Sequence, residues 1–133
     1  DKDNKHYDYV ALAQEYIEIR KEFRVIVIDG RVELVYKKDI SDATFSGNQS
    51  PLHWEGAKAL HVTDQKIIDA IQKFVAPIFD RMPLRYGGLD VAIDSAGILY
   101  LIEINGSPQF TKFIEDNGID EIVKVYTKIL ECL

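Results

Sequence analysis

Apolar and polar positions along this chain switch between two periods. Phe23-Arg24-Val25-Ile26-Val27-Ile28 and Val32-Glu33-Leu34-Val35-Tyr36 are short runs rich in β-branched residues. Asp29-Gly30 between them favours a tight turn with positive φ, so the three pieces predict a β-hairpin. Ile67, Ile68, Ile71, Phe74, Val75, Ile78 and Phe79 then fall on one helical face. Thr63 can cap that helix, which should run to about Met82 and kink or break locally at Pro77. A second hairpin follows, with strands Leu89 to Ile93 and Ile98 to Ile104 around the turn Asp94-Ser95-Ala96-Gly97. Ile119, Ile122, Val123, Tyr126, Ile129 and Leu130 make a closing amphipathic helix, with Asp120 near its positive end. The stretch to about His6 reads as a solvated lead-in and Ala13 to Glu18 as extended. Residues 39–61 show no period and read as a long loop or lid, a feature that is often functional. Hairpin, helix, hairpin, helix predicts an α+β fold: an antiparallel sheet backed by helices on one face.

Composition narrows the classes. The chain has 133 residues and its hydrophobic share of 47% is enough for a core, which excludes wholesale disorder. The length suits one domain. Cys132 is the only cysteine, which excludes a disulfide scaffold and fits a reducing, cytoplasmic compartment. It has no histidine partner nearby that would make it a nucleophile. Sixteen Lys and Arg against 22 Asp and Glu give a net charge of −6, which argues against nucleic acid as the main ligand. No apolar run approaches the roughly 18 residues of a membrane span. His53, His61, Trp54 and the tyrosines read as surface or packing residues.

The chemistry concentrates in Gly88-Leu89-Asp90-Val91 and Leu101-Ile102-Glu103-Ile104-Asn105. With the turn centred on Ser95-Ala96, Asp90 lies opposite Leu101. Alternation puts Leu101, Glu103 and Asn105 on one face, and Asp90 shares it. Leu89, Val91, Ile102 and Ile104 take the other face and can pack on the helices. A one-residue bulge in the turn would break this parity. Two carboxylates on one half-buried face repel unless a proton or a cation intervenes. The spacing leaves three readings open: a solvated or salt-bridged strand face, an acid–base pair, or a site for a hard cation such as magnesium, which adds water and phosphates to one or two carboxylates.

Leu101-Ile102-Glu103-Ile104-Asn105-Gly106-Ser107-Pro108 resembles the Glu-x-Asn-x-Ser-Pro signature of ATP-grasp ligases, and Gly88-Leu89-Asp90-Val91 their Gly-x-Asp strand. Gln14-Glu15-Tyr16-Ile17 is similar to the hinge strand of the ribosomal-protein glutamate ligase branch and related peptide ligases. Glu22-Phe23-Arg24-Val25 is similar to its Asp-x-Arg strand, and Asn117-Gly118-Ile119-Asp120 to the start of its last helix. The resemblance covers most of residues 14 to 131.

The resemblance implies that Asp90, Glu103 and Asn105 hold magnesium on the phosphates of ATP. It implies that the backbone of Glu15 and Ile17 meets the adenine edge, flanked by Gln14 and Tyr16, and that Glu22 takes the place of a ribose-binding aspartate. Lys37 and Lys38 stand where the branch has paired basic residues, and Arg24 adds positive charge. Asn48 falls in an Arg-Ser-Asn motif that here lacks its arginine. Arg24, Lys38 and Asn48 are thus the candidate catalytic contacts, and Lys37 joins the nucleotide-binding set. The implied activity is an ADP-forming ligation of a carboxylate acceptor, small molecule or peptide, to an amine donor through an acylphosphate. The family also needs an upstream subdomain with a phosphate-binding lysine and a glycine-rich loop, which nothing before Tyr7 supplies. Residues 1–133 are therefore expected to be a single domain cut from a longer ATP-grasp enzyme, inactive on its own. The alternative is a nucleotide-binding or protein-interaction module that kept the fold and lost the reaction.

Overall fold

The structure is a computed structural model that describes residues 13–45, 47 and 51–132. Strands β1 (Ile19–Ile28), β2 (Arg31–Asp39), β3 (Lys58–His61), β4 (Tyr86–Asp94) and β5 (Leu99–Asn105) form one antiparallel sheet in the order β3-β2-β1-β4-β5. Helix α1 (Gln65–Arg81) follows β3, and α2 (Thr111–Asn117) and α3 (Asp120–Glu131) follow β5. The fold is α+β, as the hydrophobic pattern predicts.

The helices lie on both faces of the sheet, not on one. Val25, Ile26 and Val27 are consecutive in central strand β1 and all fully buried. Neighbouring strand residues point to opposite faces, so both faces must be covered. Val25, Val27, Val35, Leu89 and Val91 pack with Ile71 and Val75 of α1. Ile26, Ile28, Leu34 and Tyr36 pack with Phe113 of α2 and Ile122 and Val125 of α3. The unbroken apolar run Val25 to Ile28 carries that information, because a strand covered on one face alternates instead.

Local chemistry explains the element ends. Asp29 and Gly30 turn the first hairpin with φ of 44° and 79°, as a two-residue turn with both central φ positive requires. The cap of α1 is Asp64, one residue past Thr63: its carboxylate accepts from the backbone N–H of Lys66 at 2.9 Å. The helix continues through Pro77 without a break. Pro77 sits on the exposed side, where water can serve the carbonyl that loses its N–H partner.

The stretch 39–61, read as loop, contains a fifth strand. Edge strand β3 is held by side chains of α2. Asp116 accepts from Ala59 N–H at 2.7 Å, and the Asn117 amide donates to Ala59 C=O at 2.6 Å and to Phe113 C=O at 3.0 Å. These groups occupy a ladder edge that would otherwise be free to pair with another chain. Gly118, with φ of 83°, then separates α2 from α3, where one closing helix is expected.

Candidate functional site

The second hairpin departs from the simple register twice. Asp94 N–H donates to Ile98 C=O at 3.1 Å, so the turn is one residue longer than a turn centred on Ser95-Ala96. The register then shifts again between Asp90 and Val91: Val91 faces Leu101 but Asp90 faces Glu103, which leaves Ile102 as an extra residue in β5. Two one-residue shifts cancel, so Asp90, Glu103 and Asn105 still share a face. Two details change. Asp90 lies opposite Glu103 rather than Leu101. Ile102 is 46% exposed on the rim of a cavity instead of packing with Ile104.

Strand pairing extends this into one row. His61 faces Tyr36, Tyr36 faces Arg24, Arg24 faces Asp90, and Asp90 faces Glu103. The row crosses all five strands on the face that carries α2 and α3. Gly88 faces Asn105 on the apolar side of this row. A Cβ on Gly88 would sit 2.8 Å from Pro108 Cβ and 3.1 Å from Arg24 Cδ, so the bare backbone lets Pro108 and the Arg24 stem close over it.

The charges alternate along a buried chain. Arg24 Nε donates to Asp90 Oδ1 at 2.5 Å and Arg24 Nη2 to Asp90 Oδ2 at 3.2 Å. Lys38 Nζ donates to Asp90 Oδ2 at 2.6 Å and also to Glu22. Side-chain exposure is 1% for Lys38, 7% for Asp90 and 12% for Arg24. Burial pulls the Arg24 guanidinium down, but the hydrogen bond and charge of Asp90 outweigh it, with Tyr36 and Glu103 adding to the rise, and the net shift is upward. Burial pushes the Tyr36 hydroxyl up to about 12. Lys37 turns away and donates to Asp39 at 2.5 Å, holding that carboxyl below its usual range.

Two cavities flank the chain. The first, about 640 Å³, is lined by Arg24, Tyr36, Glu103 and Asn105 from the sheet and by Gln109 and Lys112 beyond it. The second, about 810 Å³, brings together Gln14, Glu15, Tyr16, Ile17, Glu22, Lys37 and Lys38, with Trp54 and Ile102 on its wall. The sequence-nominated residues among those described therefore gather around Asp90, except Lys37, whose position opposite Phe23 puts its side chain on the face that carries α1. Asn48 lies outside the described residues. Tyr36, read only as packing, stands in the row. Its position two residues before Lys38, in a strand opposite Arg24, is the signal that could have found it.

The donor set suits a hard cation that brings most of its own shell. Glu103 is exposed to the first cavity and Asn105 is half-buried beside it. The Asn105 carbonyl accepts one hydrogen bond, from Ser107 N–H at 2.8 Å, and keeps a second lone pair. Asp90 stands across from Glu103 with both oxygens engaged by cations. The described residues hold no cluster of three or more His, Cys, Asp or Glu able to enclose a metal unaided. Magnesium takes one or two carboxylates and completes its octahedron with water and phosphate.

Comparison with curated proteins finds no match. Solved structures share the fold. The ATP-grasp ligase PsnB complexed with minimal precursor is 19% identical with a TM-score of 0.64, over 89% of this chain and 36% of that one. A Chryseobacterium gregarium RiPP-associated ATP-grasp ligase in complex with ADP and a leader and core peptide is 20% identical with a TM-score of 0.59, over 90% of this chain and 34% of that one. Macrocyclase MdnC from Microcystis aeruginosa MRC, bound with precursor peptide MdnA, is 17% identical with a TM-score of 0.58, over 90% of this chain and 33% of that one. The chain thus spans about a third of the length of these proteins. The profile of the RimK-like ATP-grasp domain matches residues 4–129, and the chain belongs to that family.

Proposed function

We propose that this chain is the metal- and nucleotide-binding part of an ATP- and magnesium-dependent ligase that joins a carboxylate to an amine through an acylphosphate. The observation that carries the reading is the row Arg24–Asp90–Glu103, with Asn105 beside it, set between two cavities. PsnB, which shares the fold, is complexed with Mg, ADP and a minimal precursor.

Glu103 and Asn105 would hold magnesium at the first cavity, with Asp90 behind them. The ion, when bound, neutralises phosphate charge and aligns the γ-phosphoryl group. The chain's own groups do the rest. The backbone of Glu15 and Ile17, with Gln14 and Tyr16 on either side, would meet adenine. Glu22 would accept from a ribose hydroxyl. Arg24 would supply positive charge to the phosphates, and Asn48 would be an added substrate contact. The acceptor carboxylate attacks the γ-phosphorus, its C–O–P bond forms, and the bond to ADP breaks. An amine then attacks the acyl carbon, the amide forms, phosphate leaves, and the amine's proton passes to it. A carboxylate is a poor electrophile until this activation, so the protein's task is positioning and charge compensation. The upstream phosphate-binding subdomain belongs to the full-length enzyme, and the lone thiol fits a cytoplasmic setting. Among the described residues no helix is long and apolar enough to cross a membrane.

Hydroxylamine intercepts acylphosphates as hydroxamates. The full-length protein, given ATP, magnesium, hydroxylamine and peptides bearing Asp or Glu, should form hydroxamate and ADP together, and Glu103→Ala should lose both. Nucleotide binding with no ADP formed from any such acceptor would favour the non-catalytic module instead.

A further inference from the structure

We propose, on the basis of the functional reading above, that Lys38 is a positioning residue: it occupies Asp90 and releases it only when an anionic ligand enters. Metal and nucleotide binding are then mutually dependent. A carboxylate offers roughly four acceptor sites, and in Asp90 three are filled by N–H donors. Oδ1 takes Arg24 Nε at 2.5 Å, and Oδ2 takes Arg24 Nη2 at 3.2 Å and Lys38 Nζ at 2.6 Å. A divalent cation approaching these oxygens meets two positive heads in a site where little water can screen them.

The cations connect Asp90 to both cavities. Arg24 lines the first cavity. Lys38 is shared with Glu22, and both line the second. An ammonium has three donors. Lys38 spends two on carboxylates and keeps one, which a phosphate oxygen in the second cavity can take. A phosphate that draws Lys38 toward itself weakens its hold on Asp90 Oδ2 and uncovers that oxygen on the side facing Glu103. By linkage, whatever factor the nucleotide adds to metal affinity, the metal must add to nucleotide affinity. Glu103, with no such clamp, is the ligand available to metal at all times.

Mn²⁺ titration of the full-length protein without nucleotide, read by the EPR signal of the free ion, tests this. Lys38→Met should tighten Mn²⁺ at least fivefold and shrink the enhancement that added ADP gives. In an Asp90→Asn background the same substitution should change Mn²⁺ affinity less than twofold, because its effect passes through Asp90. Loss of a nearby positive charge alone would help in both backgrounds. Lys38→Ala, which also removes the donor to Asp90 and leaves room for water beside Glu22, serves as the second variant, with the same shifts expected, if the methionine form does not fold. Unchanged or weaker Mn²⁺ binding in the folded variant, or equal tightening with and without Asp90, overturns the proposal. Failure of the wild-type protein to bind ADP with magnesium would instead overturn the functional reading on which it rests.

Discussion

Asp90→Asn removes the one anion that holds Arg24 and Lys38 together while keeping the shape of the side chain. Charges about 4 Å apart attract by about 4 kcal/mol at an effective dielectric near 20. Desolvation of the buried groups offsets much of that, so the pairs themselves contribute modestly. Breaking them is another matter, because two cations stay behind in a buried site, and such losses run to about 3–5 kcal/mol. Lys38 keeps Glu22 as a partner and the asparagine carbonyl can still accept one hydrogen bond. The expected loss therefore lies at the lower end, about 3 kcal/mol, a large share of a small domain's stability. Urea unfolding of the chain at pH 7, followed by circular dichroism with an unchanged m-value, measures it. Adding Arg24→Met to Asp90→Asn should recover about 1–2 kcal/mol, since Arg24 is the cation left without its acid. A single variant within 0.5 kcal/mol of wild type would refute the claim that this carboxylate holds the cluster.

Other expectations follow from particular contacts. Asn117→Ala strips the hydrogen bonds to Ala59 and Phe113 and should cost about 1–3 kcal/mol, with faster amide exchange in β3 than in β1. Gly88→Ala drives a methyl into Pro108 and the Arg24 stem and should cost about 1–3 kcal/mol in urea melts; a neutral result would mean that the segment 106–108 moves freely. Burial raises the Tyr36 hydroxyl to about 12 against an ordinary 10. Its contribution is whole below pH 10 and is lost as pH rises toward 12, on the order of 2–3 kcal/mol. Tyr36→Phe should flatten the fall in urea midpoint between pH 9 and pH 11.5; an equally steep fall in the variant would assign the effect elsewhere.

How much of this the sequence revealed depended on how local each signal was. Asp29-Gly30 announces its hairpin because both residues tolerate positive φ, and the period of α1 is plain across four turns. Strand β3 was hidden because it is four residues long and its outer edge is paired by Asp116 and Asn117, which lie more than fifty residues away. Thr63 and Asp64 are both good caps, and only the backbone at the helix start decides between them. The shared face of Asp90, Glu103 and Asn105 survived because the longer turn and the bulge at Ile102 cancel, not because the register was right. The clamp on Asp90 was out of reach of pattern reading. Arg24 and Lys38 lie 66 and 52 residues from it in the chain, and the sequence offers each only as a source of positive charge, with nothing to pair it with Asp90.

The account depends most on Glu103 and Asn105 gripping a metal–nucleotide pair. Calorimetric titration of the full-length protein with AMPPNP, with magnesium and with EDTA, tests this most directly. Magnesium should tighten binding at least tenfold in the wild type and by less than twofold in Glu103→Ala. Binding that ignores magnesium, or that keeps its full magnesium dependence without the Glu103 carboxylate, would contradict it.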